Sequence, residues 1–163
     1  MAVGVLIAAS ALGGCGAGQQ SQTASMAPDV NGSMADSGDI ALRYIRIRAQ
    51  QTSYAVQPGK TVHLVLVATN QSPDTADTLA AVSTDIGAVT VVGKTTVPAS
   101  GVLIVDSPDR MVHADALAAV KPANTATATV LLTKPISNGL IYDFTFRFAH
   151  VGEVSVSVPV SAD

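Results

Sequence analysis

The sequence predicts an all-β domain, an immunoglobulin-like β-sandwich of about seven to eight strands. Apolar and polar residues alternate with period two, most clearly at Leu140–Phe148 and Val154–Val160. The composition is 48% hydrophobic but only 4% aromatic and 13% charged, and Val, Ala and Thr, which are abundant, favour strands over helices. A chain of 163 residues is expected to hold a single domain of this kind.

Eight runs of residues are predicted to be strands, because each shows this alternation or lies between turn residues. A phase change between Leu42 and Ile45 predicts a β-bulge in the first strand. The last two strands are predicted to form a hairpin through Ala149–Gly152, and the Ala-rich segment Ala114–Lys121 is compatible with an uncapped helical turn. The predicted strands are Ile40–Arg48, Thr61–Asn70, Leu79–Thr84, Ala88–Val92, Val102–Val105, Thr125–Thr133, Leu140–Phe148 and Val154–Val160.

The N-terminus has the features of a lipoprotein signal peptide. Residues 2–12 are apolar or small and lead into Leu12-Gly13-Gly14-Cys15, which fits the bacterial lipobox. This run is shorter than the roughly 20 residues that span a bilayer, so we interpret residues 1–14 as a cleaved signal. Because no Lys or Arg precedes Arg43, the natural start is expected upstream of Met1. The alternative interpretation is a buried N-terminal segment with a chance cysteine.

Cys15 is the single cysteine of the chain, so it is predicted to carry diacylglycerol and no intrachain disulfide can form. Residues 15–38 lack a periodic apolar pattern and are predicted to be a flexible tether with a reach of roughly 25 Å. The β domain is then expected at 39–163, attached through the lipid to the outer face of the plasma membrane.

Charge and motifs argue against several classes of protein. The net charge of −3, with nine Lys and Arg in total, gives no basic stripe, so nucleic acid is not an expected partner. The sequence has no GxSxG elbow, P-loop, GxGxxG or HExxH motif, and it contains only three histidines. We therefore predict that the protein is not an enzyme.

A few residues could bind a metal. Met111 and His113 would share one face if their segment were a strand, and thioether and imidazole groups suit copper. His150 lies in the predicted hairpin turn, where solvation is expected. His63 alternates with apolar neighbours and is interpreted as a half-buried sheet residue.

Arg43, Arg46 and Arg48 form a basic cluster in the first predicted strand. The simpler interpretation is a solvated strand face. The alternative is a surface that steers the protein to an acidic partner.

The C-terminal third resembles the PCu(A)C family of periplasmic copper chaperones. This resemblance implies a cupredoxin-like β-sandwich and a connection with the CuA centre of cytochrome oxidase. Over its whole length the chain also resembles the LpqE family of mycobacterial lipoproteins, through stretches such as CGAGQQSQTAS, IRIRAQQTS and QPGKTVHLVLVATNQSPD. The residues that carry the first resemblance are Thr133-Lys134-Pro135-Ile136, Asn138-Gly139-Leu140, Phe144-Thr145-Phe146, Gly152-Glu153-Val154 and Val158-Pro159-Val160.

The chain departs from the copper-chaperone pattern at the metal ligands. That pattern has two His and two Met, including a His-x-Met pair that would fall near Ala126 and Ala128 here, and alanine cannot bind a metal. No His or Met lies between Leu64 and Arg110 either. The resemblance therefore implies the fold without this copper site.

The LpqE resemblance implies an accessory subunit at the outer face of the cytochrome bcc-aa3 respiratory supercomplex, beside the CuA-bearing oxidase subunit. Two alternatives remain open. One is a copper carrier that uses Met111 and His113, with His150 as a further candidate ligand, in an arrangement of its own. The other is an envelope lipoprotein that binds a lipid or glycan in a groove of the sandwich.

Overall fold

The computed structural model describes residues 32–50, 52–113 and 121–162, which form ten strands and one 3₁₀ helix at Pro108–His113. No helix within these ranges is long and apolar enough to cross a membrane. The strands are β1 Ser33–Ser37, β2 Ile40–Arg48, β3 Thr61–Asn70, β4 Asp77–Thr84, β5 Gly87–Gly93, β6 Thr96–Val97, β7 Val102–Val105, β8 Ala123–Leu132, β9 Ile141–Phe148 and β10 Gly152–Ser161.

Alternating side chains build the core. On β9, Phe144, Phe146 and Phe148 are buried, while the residues between them face outwards. On β10 the inward positions are valines, and β3 and β8 continue the pattern with smaller aliphatic residues. Since successive side chains of a strand point to opposite faces, each strand contributes one apolar face to a single cluster of buried residues.

The strands form one hydrogen-bonded sheet that curls around this core, in the order β5-β8-β7-β3-β2-β10-β9-β4-β6, with β1 paired to β2. Most pairs are antiparallel. β3 bonds β8 through Thr61–Leu64 and β7 through Leu66–Thr69. The two halves of the sheet are joined by a parallel pairing of β2 and β10 at two residue pairs, Ile47 with Val160 and Arg48 with Ser161.

All eight predicted strands are present, and the predicted all-β sandwich class is confirmed. The bounds of β2, β3 and β7 match the sequence prediction, and the β9–β10 hairpin closes at Phe148 and Gly152 as expected. Two further strands, β1 and β6, were not predicted. Neither shows apolar alternation of its own. Each is a strand only through backbone pairing with its neighbour, β2 for β1 and β4 for β6.

The predicted bulge in β2 is confirmed at Tyr44. The pairing of β2 with β3 shifts between Arg43 and Arg46, and Tyr44 has a φ of 55°. This left-handed conformation is uncommon for a bulky residue. The extra residue keeps Leu42 and Ile45 in the core on either side of it, since both are fully buried.

Two predictions about local structure are wrong. Ser33–Ser37 belong to the predicted flexible tether, but they form β1 through backbone pairing with β2. The segment around Met111 and His113 is part of the 3₁₀ helix and not a strand, so positions two apart do not share a face there. Most of the predicted helical turn at Ala114–Lys121, residues 114–120, lies outside the described residues.

We expect Phe146→Ala to lower the free energy of unfolding by about 3–5 kcal/mol, because it removes a fully buried ring from the centre of the core. Arg147→Ala, on the exposed face of the same strand, is the matched control and should change it by less than about 0.5 kcal/mol. Urea unfolding of both variants measures the difference. Equal losses in the two would contradict the orientation of β9.

Candidate functional site

A groove of about 540 Å³ opens where β2 ends and β3 begins. Its walls come from residues 48–50, 52–53 and 55–57, from Lys60–His63 at the start of β3, and from Asp109 in the 3₁₀ helix. This volume lies in the range of small-ligand sites. We call this cavity the β2–β3 groove.

Arg48 anchors one wall of the groove. Its guanidinium donates to Asp106 Oδ1 at 2.8 Å and to the hydroxyl of Ser107, and its side chain is only 5% exposed. The carboxylate of Asp106 also accepts from the backbone N–H of Ser107. A nearly buried charge requires such partners, and together they fix β2 to the segment that leads into the 3₁₀ helix.

Asp109 brings a second carboxylate to the same wall. The pKa of Asp109 lies below its ordinary value, chiefly because the Ser107 hydroxyl donates to it, and the charges of Arg48 and Arg110 lower it further. Asp109 is therefore ionised at neutral pH. The positive charge of Arg48 is thus offset by Asp106 and Asp109.

His63 is the cross-strand neighbour of Arg48. It is half-buried on the outer face of β3, as predicted, but its Nδ1 is buried and has no hydrogen-bond partner among the described residues. A buried nitrogen without a hydrogen bond lowers the stability of the fold, so His63 brings to the groove a polar atom that can still form a hydrogen bond.

The groove combines charged side chains, including that of Lys60, with neutral hydrogen-bonding groups. Its lining offers the hydroxyls of Thr52 and Thr61 and the amides of Gln50 and Gln57, which act as both donors and acceptors. Apolar side chains of Ala49, Ala55, Val56 and Val62 line the groove beside these polar groups. Nowhere in the described ranges do three or more His, Cys, Asp or Glu side chains group in a way that could hold a metal.

The predicted basic cluster lies on one face of the sheet. The β2 bulge places Arg43 and Arg46 opposite Val67 and Val65, and Arg48 follows opposite His63. Arg43 pairs with Asp36 of β1 at 2.6 Å, and Arg48 is buried, so the prediction of a fully solvated face is wrong for Arg48. Arg46 is half-exposed and has no ion-pair partner in the described part of the chain.

The positions implied for a His-x-Met pair lie inside the core. Ala126 and Ala128 are 3% and 1% exposed, on the inner face of β8, and β5 covers them from the side through Gly93 and Val91. Alanine has no donor atom for a metal. This place in the fold is filled by packed aliphatic side chains, so it does not fit a copper ion.

The remaining candidate residues are not brought together by the described structure. Cys15 and the side chains of Met111 and His113 lie outside what the structure describes. His150 is in the β9–β10 turn, as predicted, and its side chain is 66% exposed.

His150 takes part in a structural contact that the sequence did not suggest. Asp77, at the start of β4, accepts the backbone N–H groups of Thr78, His150 and Val151 at 2.7, 2.9 and 3.1 Å, and His150 Nδ1 lies 3.3 Å from Asp77 Oδ1. Burial alone raises the pKa of Asp77, but these hydrogen bonds and the His150 charge outweigh it, so the pKa is lowered overall. Asp77 therefore clamps the hairpin turn to β4 as a carboxylate.

Sequence reasoning missed the groove because its residues are far apart in the chain. Arg48, His63 and Asp109 meet only through the register of β2 and β3 and the path of the 3₁₀ helix. A charged residue within an alternating strand was the one available signal, since an arginine there requires a partner. Asp77 gave a weaker signal of the same kind, since it is the acidic first residue of β4, two positions before the apolar Leu79.

Comparison with known proteins identifies relatives over nearly the whole chain. Residues 40–160 match the LpqE-like family of lipoproteins. The chain is 54% identical to the lipoprotein LpqE of Mycobacterium tuberculosis over 159 residues, which cover 97% of this chain and 86% of that protein. It is 46% identical to LpqE of Mycobacterium leprae, covering 94% and 83%.

Solved structures of PCuAC domains share the fold. The copper-bound PCuAC domain from PmoF2 aligns with a TM-score of 0.56 and 18% identity, covering 80% of this chain and 98% of that domain. The apo PCuAC domain from PmoF1 gives 0.58 and 18%, covering 80% and 99%. The cupredoxin-like fold implied by the sequence resemblance is confirmed.

We expect Arg48→Met to lower the free energy of unfolding by about 1–3 kcal/mol, because it leaves Asp106 and Ser107 without their charged donor. Arg46→Met is the control, since no described residue is hydrogen bonded to Arg46, and it should cost less than about 0.5 kcal/mol. Thermal unfolding of the two variants at one pH gives the comparison. Indistinguishable variants would mean that the Arg48 contacts contribute no stability.

Asp77→Asn should destabilise the domain at neutral pH, because the amide replaces a charged acceptor of three N–H groups. The folded-state pKa of Asp77 is depressed, so its contribution is present above the ordinary pKa near 4 and is lost as pH falls through the lowered value. Wild type and variant should therefore converge in stability at acid pH. A stability difference that stays constant from pH 7 to pH 2, measured by denaturant unfolding, would contradict this role.

Proposed function

Because the chain belongs to the LpqE-like family of lipoproteins, we propose that it is a membrane-anchored, non-catalytic docking subunit. In this proposal it sits at the outer face of the plasma membrane, as an accessory subunit of the cytochrome bcc-aa3 supercomplex. Its partner there is the copper-bearing subunit of the oxidase.

The observation that carries the proposal is the filled core at Ala126 and Ala128. The fold is that of copper-chaperone domains, but the two positions implied for a ligand pair are buried alanines. When a domain has this fold but has core residues at the ligand positions, its function is expected to lie on its surface. Binding to a protein partner therefore accounts for the structure better than metal transfer through this place.

The lipid anchor limits where this surface can act. Cys15 lies 17 positions before Gly32, the first described residue, and the predicted tether would have an r.m.s. reach of about 20–25 Å over that length. With diacylglycerol on Cys15, the domain stays within one domain diameter of the bilayer. It would meet the extramembrane parts of neighbouring membrane proteins.

The face formed by β2 and β3 is the docking surface that the charges favour. Arg43 pairs with Asp36, and Arg48 pairs with Asp106. Arg46 has no such ion pair among the described residues, so its charge can interact with an acidic partner. The β2–β3 groove lies at the end of the same face and offers His63 Nδ1 and several amides and hydroxyls. Steering by charge and a polar groove together suit an exposed loop of a protein partner.

Affinity purification of the tagged lipoprotein from membranes in mild detergent is expected to recover haem-containing oxidase subunits. Arg46→Glu should reduce the recovered haem at least about tenfold if the β2–β3 face docks, since the charge reversal repels an acidic partner. Arg147→Glu makes the same change on β9 in the other half of the sheet and should leave recovery unchanged. Cys15→Ala should move the protein out of the membrane fraction.

Repeated recovery of the protein without haem subunits would overturn the proposal. Copper carriage is the alternative function, because the fold is similar to that of a copper-bound PCuAC domain. It predicts stoichiometric Cu(I) uptake that falls in Met111→Ala and His113→Ala. Uptake at background level would eliminate that alternative.

A further inference from the structure

Strand β5 leaves one edge of the sheet open. It pairs with β8 along all seven of its residues, from Gly87 with Leu132 to Gly93 with Ala126. No strand within residues 32–50, 52–113 and 121–162 pairs with its other edge. The free edge of a strand presents unpaired N–H and C=O groups that can bond another extended backbone.

The register shows which groups point outwards from this edge. Thr133 N donates to Ile86 O, and Lys94 N donates to Thr125 O, so residues 86 and 94 are bonded towards β8. Alternate residues of an antiparallel strand bond to alternate sides. The even positions of β5 therefore bond β8, and the odd positions, 87, 89, 91 and 93, direct their N–H and C=O groups to the open edge.

The edge lacks the devices that usually protect one. Its sequence, GAVTVVG, has no charged residue and no proline, and its pairing with β8 has no bulge. Val92 is 66% exposed, and Leu131, which lies opposite Ala88 on β8, is 50% exposed. By contrast, the edge strand β1 carries Asp36, which pairs with Arg43.

We propose that β5 pairs antiparallel with β5 of a second copy of this chain, across a two-fold axis at Thr90. The strand reads nearly the same in both directions around Thr90, with valines at 89 and 91 and glycines at 87 and 93. In this register residue 87 faces 93 of the other copy, and 89 faces 91. All the outward N–H and C=O groups then meet each other, which is the hydrogen-bonded pairing of an antiparallel ladder.

The side chains and charges fit the same arrangement. The two Thr90 side chains meet at the axis in a non-hydrogen-bonded pair, where side chains are closest, and exposed Val92 faces Ala88 of the other copy. Asp85, an exposed carboxylate that also pairs with Lys134 of its own chain at 2.7 Å, precedes the strand, and Lys94 follows it. Antiparallel pairing brings these opposite charges together at both ends, whereas parallel pairing would place like charges side by side. This symmetry makes a second copy a better occupant than an unrelated strand.

Disulfide trapping in membranes tests the register directly. The full chain has one cysteine, so Thr90→Cys adds a single new thiol at the axis, and Ala88→Cys adds one that faces Val92 of the other copy. Diamide takes two electrons and two protons from a pair of thiols that lie close enough to bond. Thr90→Cys should give a covalent dimer on a non-reducing gel, while Ala88→Cys and wild type should stay monomeric.

A charge swap at the same position checks the interface without a covalent bond. Thr90 is exposed, so the monomer tolerates a charged residue there. Thr90→Lys or Thr90→Glu alone should abolish sedimentation as a dimer, and an equal mixture of the two should restore it. No Thr90→Cys dimer together with a monomeric wild type in sedimentation would overturn the proposal, whether or not oxidase subunits co-purify.

Discussion

The register of β2 is the constraint on which both the core and the candidate docking surface of this domain depend. Its inward residues Leu42, Ile45 and Ile47 are fully buried, so the strand cannot slide by one position without exposing them. The bulge at Tyr44 reverses the alternation once and thereby places Arg43 on the same face as Arg46 and Arg48. The strand also carries the parallel pairing to β10 that joins the two halves of the sheet. Core, basic face and sheet closure are therefore determined together.

Local alternation was enough to predict most of the fold. The eight strands with apolar periodicity, and the phase change in β2, follow from side chains that must face one core. β1 and β6 could not be predicted, because Ser33–Ser37 and Thr96–Val97 are strands only through the backbone groups of their neighbours. The 3₁₀ helix was missed for a related reason, since Pro108–His113 shows no period that distinguishes a tight turn from a short strand.

The candidate site was less accessible to sequence reasoning than the fold. Arg46 and Arg48 were identified by charge, but their different roles depend on Asp106, which is 58 residues from Arg48 in the chain. His63 was correctly interpreted as a half-buried sheet residue, yet its unpaired Nδ1 becomes visible only when β2, β3 and the 3₁₀ helix are placed together. The alanines at positions 126 and 128 gave the clearest prediction from sequence, because an alanine side chain has no donor atom and cannot bind a metal ion in any geometry.

Strand β1 also has a mechanical consequence. It precedes the other strands of the domain, its backbone pairs with one described strand, β2, and the Ser33 hydroxyl also donates to the backbone of Ser157 in β10. With the proposed lipid anchor on Cys15, a pull from the bilayer would load β1 before it reaches the aromatic core. If the bonds of β1 opened, its five residues would add about 17 Å of extended chain while the rest of the sheet stayed folded. In the proposed anchored protein, Ser33–Ser37 would thus serve as an extensible joint between the anchor and the domain.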